Sequence, residues 1–134
     1  PDMTKTEAVE KLKAHLAKRG FGDIEVIVSG GYSPTESPED SVVIRAGAAT
    51  LEKAGIEYSL FPRRAGSWPG VVFTGPPLEM AAGHFGVGRG GGAHAPDEWL
   101  LIESSNPKVA GYAQQAEAFV DYLYETARAA KTRR

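Results

Sequence analysis

The apolar positions of the first thirty residues change from a helical to a strand-like period. Residues 4–7 (TKTE) have the form of a helix capping box, and apolar side chains then recur at helical spacing until Gly20. This pattern predicts a helix over about residues 5 to 19. Apolar and polar side chains then alternate over residues 23–28, which predicts a strand with one buried face.

The rest of the chain predicts two further helices separated by several short strands. Residues 30–38 (GGYSPTESP) are rich in turn formers and predict a linker at a domain boundary. A second helix is expected from residue 39 or 40 to Gly55, and a long last helix opens at residues 105–107 (SNP). Between these helices, short strands are expected at residues 56–61, 71–73, 84–88 and 99–102. The fold class is therefore mixed α/β, although the alternation is too incomplete to derive a doubly wound sheet.

Composition and charge exclude several classes of protein. The 134 residues fit one modest domain, and the net charge of −2 gives no electrostatic attraction to nucleic acid. The chain has no cysteine, which excludes disulfides and thiolate metal sites and fits a cytoplasmic protein. No apolar run approaches the roughly 20 residues of a membrane span, and the polar start shows no signal peptide. Because Pro1 and Asp2 precede Met3, a fragment with a trimmed or internal beginning is expected.

The most informative stretch is His84–Glu103 (HFGVGRGGGAHAPDEWLLIE), which has five glycines between Phe85 and Ala93. Such density indicates special backbone dihedrals or the close approach of another group. Three of these glycines match the phosphate-binding pattern G-x-G-x-x-G, but residues 93–96 (AHAP) do not open a helix after the loop. No Lys-Ser/Thr pair follows, so the loop is not a P-loop either. A nucleotide-binding domain is therefore one open alternative.

A metal site is the second interpretation of this stretch. His94 offers an imidazole, and Asp97 and Glu98 offer hard oxygen ligands. His84 is a further candidate imidazole. A catalytic zinc takes about three protein ligands and keeps one open position. Pro96 blocks a regular helical pair of ligands, so the pattern differs from H-E-x-x-H, and a loop histidine that hydrogen-bonds its surroundings is the alternative.

Residues 93–98 (AHAPDE) resemble the closing motif of the dinuclear-zinc peptidase and deacylase family. Members include acetylornithine deacetylase, succinyl-diaminopimelate desuccinylase, aminoacylase and glutamate carboxypeptidase. The family motif is His-Ala/Ser-Pro-Asn/Asp-Glu, and its histidine is the last zinc ligand. The resemblance implies that His94 binds one or two zinc ions, with cobalt or manganese as alternative metals. It also implies that Asp97 and Glu98 orient this ligand.

The resemblance covers nearly the whole chain and implies a domain organisation. Residues 1–29 are similar to the closing helix and strand of the family's inserted lid, which often forms a homodimer. Residues 30–38 are then the linker, and residues 39–134 the C-terminal segment of the catalytic domain. The implied reaction is hydrolysis of an amide bond in an N-acyl amino acid or small peptide. The other zinc ligands and the general base would come from the N-terminal half of the enzyme, so the isolated chain is expected to be inactive.

The family also carries a Gly-Gly-Thr/Ser-x-Asp segment that helps to hold the substrate. The corresponding stretch here is Ala65–Gly70 (AGSWPG), where Gly66 and Ser67 keep part of the pattern. Substrate contacts are expected from Ser67, Gly66, Arg64 and His84. For Arg64 the alternative is a solvated side chain, and for His84 a buried structural histidine. For the whole chain, the alternative to an enzyme is an interaction or regulatory module with a vestigial site.

Overall fold

The computed structural model describes residues 2–61 and 66–132, and over this part the protein is mixed α and β but mainly helical. The described elements follow in the order α1 (Lys5–Lys18), α2 (Val42–Lys53), α3 (Val71–Thr74), β1 (Gly90–Gly91), β2 (Trp99–Leu100) and α4 (Tyr112–Lys131). The predicted mixed class is confirmed in this coarse form. No helix among the described residues is long and apolar enough to cross a membrane.

Contacts along the chain divide it into two compact units. The first unit combines Pro1–Ser37 with Phe61–Ala82, and the second combines Pro38–Leu60 with Gly83–Arg134. Each unit is thus built from two separate stretches of the chain. The expected division into a lid ending (residues 1–29), a linker (30–38) and a catalytic segment (39–134) stays a prediction.

Helix α1 begins where its sequence predicts, because its first turn is closed by two reciprocal hydrogen bonds. The backbone N–H of Glu7 donates to Thr4 Oγ1 at 3.2 Å, and the N–H of Thr4 donates to Glu7 Oε2 at 2.7 Å. At the other end, Gly20 takes a φ of +82°, which ends the helix at little steric cost. The predicted helix over residues 5 to 19 is confirmed.

Side-chain hydroxyls join the two stretches of the first unit. Ser37 Oγ donates to the carbonyl of Ala82 at 2.7 Å and accepts from the N–H of Ala82 at 2.8 Å. Thr35 and Thr74 share a hydroxyl hydrogen bond of 2.6 Å. These bonds fix Thr35, Ser37 and Ala82, which belong to no helix or strand.

Several expected strands are absent from the described structure. Residues 23–28 and 56–61 form no strand there, because neither segment has a neighbouring strand to complete a hydrogen-bond ladder. Residues 71–73 form the one-turn helix α3, in which the N–H of Gly75 donates to the carbonyl of Val71 at 2.8 Å. Such a short apolar run is ambiguous between helix and strand, and the expectation of a buried strand there was wrong.

The expected element boundaries shift in the second half. The second helix starts at Val42 rather than at residue 39 or 40, after the N-cap Ser41. The last helix starts at Tyr112, well after residues 105–107, because Asn106 forms a local turn in which its side chain accepts from the N–H of Lys108 at 3.0 Å. The strand expected at 84–88 lies instead at Gly90–Gly91.

The second unit is organised by the packing of α2 against α4. Arg45 donates to the carbonyl of Ala129 at 3.0 Å, and the hydroxyl of Tyr122 donates to the carbonyl of Val43 at 3.3 Å. Burial raises the pKa of the Tyr122 hydroxyl above its ordinary value. The Tyr122 ring also stacks on Phe85 with centroids 4.6 Å apart, so the start of the glycine-rich segment is attached to this helix pair.

The described residues bury very little apolar surface. Ala46, on α2, is the only buried hydrophobic residue among them. The chain exposes 10762 Å², whereas a folded protein of this length exposes about 6,800 Å², and two separate domains of half its length about 8,200 Å² in total. Large apolar side chains are therefore left uncovered, as shown by Ile27 at 79% and Leu123 at 67% exposure.

Candidate functional site

The glycine-rich segment forms a short hairpin that carries His94 in its turn. Strands β1 and β2 pair antiparallel, with Gly90 opposite Leu100 and Gly91 opposite Trp99. Residues 92–98 make the connection between them. Within it, the N–H of Ala95 donates to the carbonyl of Gly92 at 2.8 Å. His94 therefore lies at the tip of the hairpin.

His94 has an unusual backbone conformation for a residue with a side chain. Its φ is +67°, in the left-handed region that favours glycine. Its N–H points to Glu98 Oε2 at 3.4 Å, and its side chain is exposed. A residue held in this region costs of order 1 kcal/mol or more, and such residues cluster at functional sites. The turn thus holds an exposed imidazole in a fixed backbone geometry.

Residues 97–99 approach β1 and the turn so closely that glycine is required there. A Cβ on Gly90 would lie 2.8 Å from the carbonyl oxygen of Trp99, and one on Gly91 would lie 2.9 Å from the Trp99 ring nitrogen. Gly92 has a φ of +69° and lies close to the backbone of the 97–98 segment. The high glycine density predicted special dihedrals or close approach, and both occur here.

A side chain of α4 that the sequence did not indicate accounts for the first two glycines of the segment, Gly86 and Gly88. Gln115 of α4 accepts through Oε1 from the N–H of Val87 at 2.7 Å and also from the N–H of Gly88. A Cβ on Gly86 or on Gly88 would lie 3.1 Å from the amide group of Gln115. The two adjacent amides that an anion would use in a phosphate loop are thus directed at a side chain of the chain itself.

The open end of the hairpin is attached to α4 through its second strand as well. The N–H of Tyr112, the first residue of α4, donates to the carbonyl of Ile102 at 2.9 Å. Close packing at this point requires Gly111, because a Cβ there would lie 2.5 Å from the Ile102 oxygen. Between the two attachments, the N–H of Leu101 donates to the carbonyl of Arg89 at 2.9 Å. The hairpin is therefore mounted on the N-terminal turn of α4.

The acidic residues of the motif lie beside His94 in the turn but do not complete a metal site. Glu98 contacts the backbone N–H of His94 rather than its ring, and Asp97 is exposed. Among the described residues there is no group of three His, Cys, Asp or Glu side chains that could hold a metal ion. His94 could serve as a zinc ligand only with donors from elsewhere, since zinc sites need about three protein ligands.

His84 lies away from the turn, on a shallow groove of the second unit. This groove of about 140 Å³ is lined by apolar residues of α2, by the 58–60 segment and by Phe85. The His84 side chain is exposed, so the alternative of a buried structural histidine was wrong. Its neighbour Phe85 is half-buried and stacks on the Tyr122 ring.

The substrate candidates on the 65–70 stretch belong to the first unit. Ser67 is exposed, and its hydroxyl shares a hydrogen bond of 2.6 Å with the hydroxyl of Tyr32. Gly66 has a φ of +136°, which permits no ordinary side chain. Arg64 lies outside the described residues. His94 is in the other unit, and the joint action of these residues on one substrate stays a prediction.

No protein-family model matches this chain, and no curated protein or solved structure matches it either. The resemblance to the zinc peptidases therefore stays a prediction from the sequence.

Proposed function

We propose that this chain is the C-terminal part of a zinc-dependent amidohydrolase and that His94 is its metal ligand. One observation carries the proposal: a histidine with an exposed side chain is held at φ +67° at the tip of a hairpin anchored at both strands. A strained, firmly mounted residue is expected where a side chain must be aimed at a fixed point. The motif residues 93–98 supply the family resemblance.

The remaining ligands would come from polypeptide outside these 134 residues. A lone imidazole does not hold zinc, and the carboxylate of Glu98 is directed at the His94 backbone. We expect the N-terminal half of the enzyme to supply the other ligands and the general base. Zinc, when bound, would polarise the scissile carbonyl and lower the pKa of a water molecule. Glu98 and Asp97 would hold the turn in the conformation that presents the imidazole.

The substrate would be an N-acyl amino acid or a small peptide with a free carboxylate. The hydroxyl pair of Ser67 and Tyr32 could donate to that carboxylate, while Gly66 gives close access to the backbone. Arg64 and His84 are further candidates for substrate binding. As in the family it resembles, the enzyme is proposed to be a homodimer in the cytoplasm.

A His94→Asn substitution tests the proposal in the native protein, isolated with the polypeptide that accompanies this chain. Asparagine tolerates a positive φ, so the turn should survive while the imidazole is lost. We expect bound zinc to be lost, and hydrolysis of N-acetyl amino acids to fall by more than about 100-fold, since changes beyond the direct ligands already cost 10–100-fold.

A His15→Asn variant is the matched control, because His15 is exposed on α1, in the other unit. It should keep both zinc and activity. Native protein that carries no metal and cleaves no acyl amino acid or dipeptide would contradict the proposal. That result would favour the alternative of an interaction or regulatory module with a vestigial site.

A further inference from the structure

We propose that Gln115 is a positioning residue for His94: its side-chain amide fixes the first strand of the hairpin to α4 and so sets where the imidazole lies. This inference rests on the proposed function, in which His94 binds metal. Gln115 would act on His94 through the hairpin.

The anchor joins one oxygen to two adjacent backbone amides. Gln115 Oε1 accepts from the N–H groups of Val87 and Gly88, and Gln115 itself is half-buried. Two hydrogen bonds to successive residues fix both the position and the direction of the chain at that point. The absence of a Cβ at Gly86 and Gly88 lets the amide approach this closely. The N–H of Val87 is half-buried whereas Gly88 is exposed, so loss of the Gln115 acceptor should cost more at Val87.

A continuous ladder connects this anchor to the tip. After Gly88, the carbonyl of Arg89 accepts from Leu101, and the strand pairs of Gly90–Gly91 with Trp99–Leu100 follow. The turn with His94 comes next. A slip of one residue along a strand moves the tip by about 3.3 Å, whereas a metal or catalytic site tolerates only about 0.5 Å. The register of the first strand at Val87 and Gly88 would therefore determine whether the imidazole can reach the proposed zinc ion.

The second strand is attached to α4 without Gln115, so the loss of Gln115 should change the position of His94 without unfolding the hairpin. Its end is held by the hydrogen bond from Tyr112 to Ile102. Loss of the Gln115 acceptor should thus release the first strand while the hairpin stays attached to α4. The expected defect is a mobile ligand in a folded protein.

The test uses Gln115→Met in the native protein, because methionine has similar length but offers no strong acceptor. We expect faster hydrogen exchange in residues 86–92, a zinc Kd raised by about 10–100-fold, and a changed visible spectrum after cobalt substitution. Excess zinc should restore part of kcat. Gln115→Glu keeps the acceptor oxygen and should restore protection and zinc affinity.

Gln114→Met is the matched control on the same helix. Gln114 Oε1 accepts from the N–H of Gly111 at 3.1 Å, so this variant removes an equivalent amide that does not contact Val87 or Gly88. It should lower helix stability without changing zinc affinity. If Gln115→Met and Gln114→Met leave the zinc Kd and the cobalt spectrum equally unchanged in an active enzyme, the positioning role is refuted while the hydrolase proposal stands. If the unsubstituted protein binds no zinc, both proposals fail together.

Discussion

At the scale of single residues, the site is determined by backbone dihedrals that few residues adopt. His94 and Gly92 both have positive φ, and the two lie in one turn. A glycine adopts a positive φ without strain, whereas a histidine is strained there because its Cβ lies close to the backbone. The hydrogen bond from Ala95 to Gly92 and the contact of Glu98 with the His94 N–H offset this strain. The conformation therefore depends on the turn rather than on the histidine.

The capping box of α1 gives a residue-scale prediction about pH. Hydrogen bonds from Thr4, chiefly its backbone N–H, hold the pKa of Glu7 below its ordinary value of 4.5. A carboxyl with a lowered folded-state pKa stabilises the fold above the unfolded pKa, and this contribution is lost as pH falls through the folded pKa. The start of α1 should therefore fray below about pH 4.5. NMR titration of the Glu7 carboxyl would measure this.

In a Thr4→Ala variant, the pKa of Glu7 should move toward 4.5, because the side-chain bond from Thr4 is removed. A Glu10→Gln variant leaves the capping box intact and should keep the lowered Glu7 pKa. An unchanged titration of Glu7 in Thr4→Ala would show that the side-chain hydrogen bond from Thr4 does not lower the Glu7 pKa.

At the scale of elements, the second unit depends on how closely helices approach other segments. Gly47 lies inside α2 and faces the Phe85 ring, whereas Gly111 lies at the start of α4 against Ile102. The first glycine has room for a methyl group, since its nearest neighbour would be 3.5 Å away. The second has none, because a backbone oxygen would lie at 2.5 Å. A side chain is therefore tolerated at position 47 but not at position 111.

Alanine substitutions at these two glycines should have opposite effects on stability. Gly47→Ala should raise the free energy of unfolding by about 0.5–1 kcal/mol, because alanine is the better helix former. Gly111→Ala should lower it by at least about 1 kcal/mol through backbone displacement. Denaturant unfolding of the native protein measures both. Equal effects of the two substitutions would mean that α4 does not hold the hairpin at Ile102.

At the scale of the whole molecule, exposed apolar surface is the dominant feature. The area of 10762 Å² exceeds even the sum for two separate small domains, and apolar residues of α4 such as Leu123 and Tyr124 are mostly exposed. Apolar burial is the main favourable term in folding, so the described residues gain little of it by themselves. Large uncovered apolar surfaces mark contacts with other polypeptide. This agrees with the proposal that the site is completed from outside the chain.

The isolated chain should therefore behave as an incomplete fold. We expect it to bind the dye ANS, to show weak near-ultraviolet circular dichroism and to associate in sedimentation experiments. It should bind no stoichiometric zinc in equilibrium dialysis, because the described residues contain no group of three ligands that could hold the ion. A cooperative, monomeric chain that binds zinc tightly and hydrolyses an acyl amino acid would overturn this expectation.

The sequence by itself determined the features that depend on neighbouring residues. The Thr4–Glu7 box and the stop at Gly20 place α1 correctly, since their hydrogen bonds and dihedrals are local. The mixed class and the special role of the glycine-rich stretch were also predictable. The motif 93–98 supplied the candidate ligand His94, but its metal partners cannot be read from this chain.

Only the tertiary structure decided the features that need a distant partner. A strand exists only where another strand completes its ladder, so the alternation at residues 24–28 was not sufficient, whereas β1 found β2. The apolar run at residues 71–73 formed a helix, because no strand among the described residues pairs with it. The anchor from Gln115 to Val87 and Gly88 spans almost thirty residues. No local sequence pattern predicts such a contact, because it forms only when α4 packs beside the hairpin.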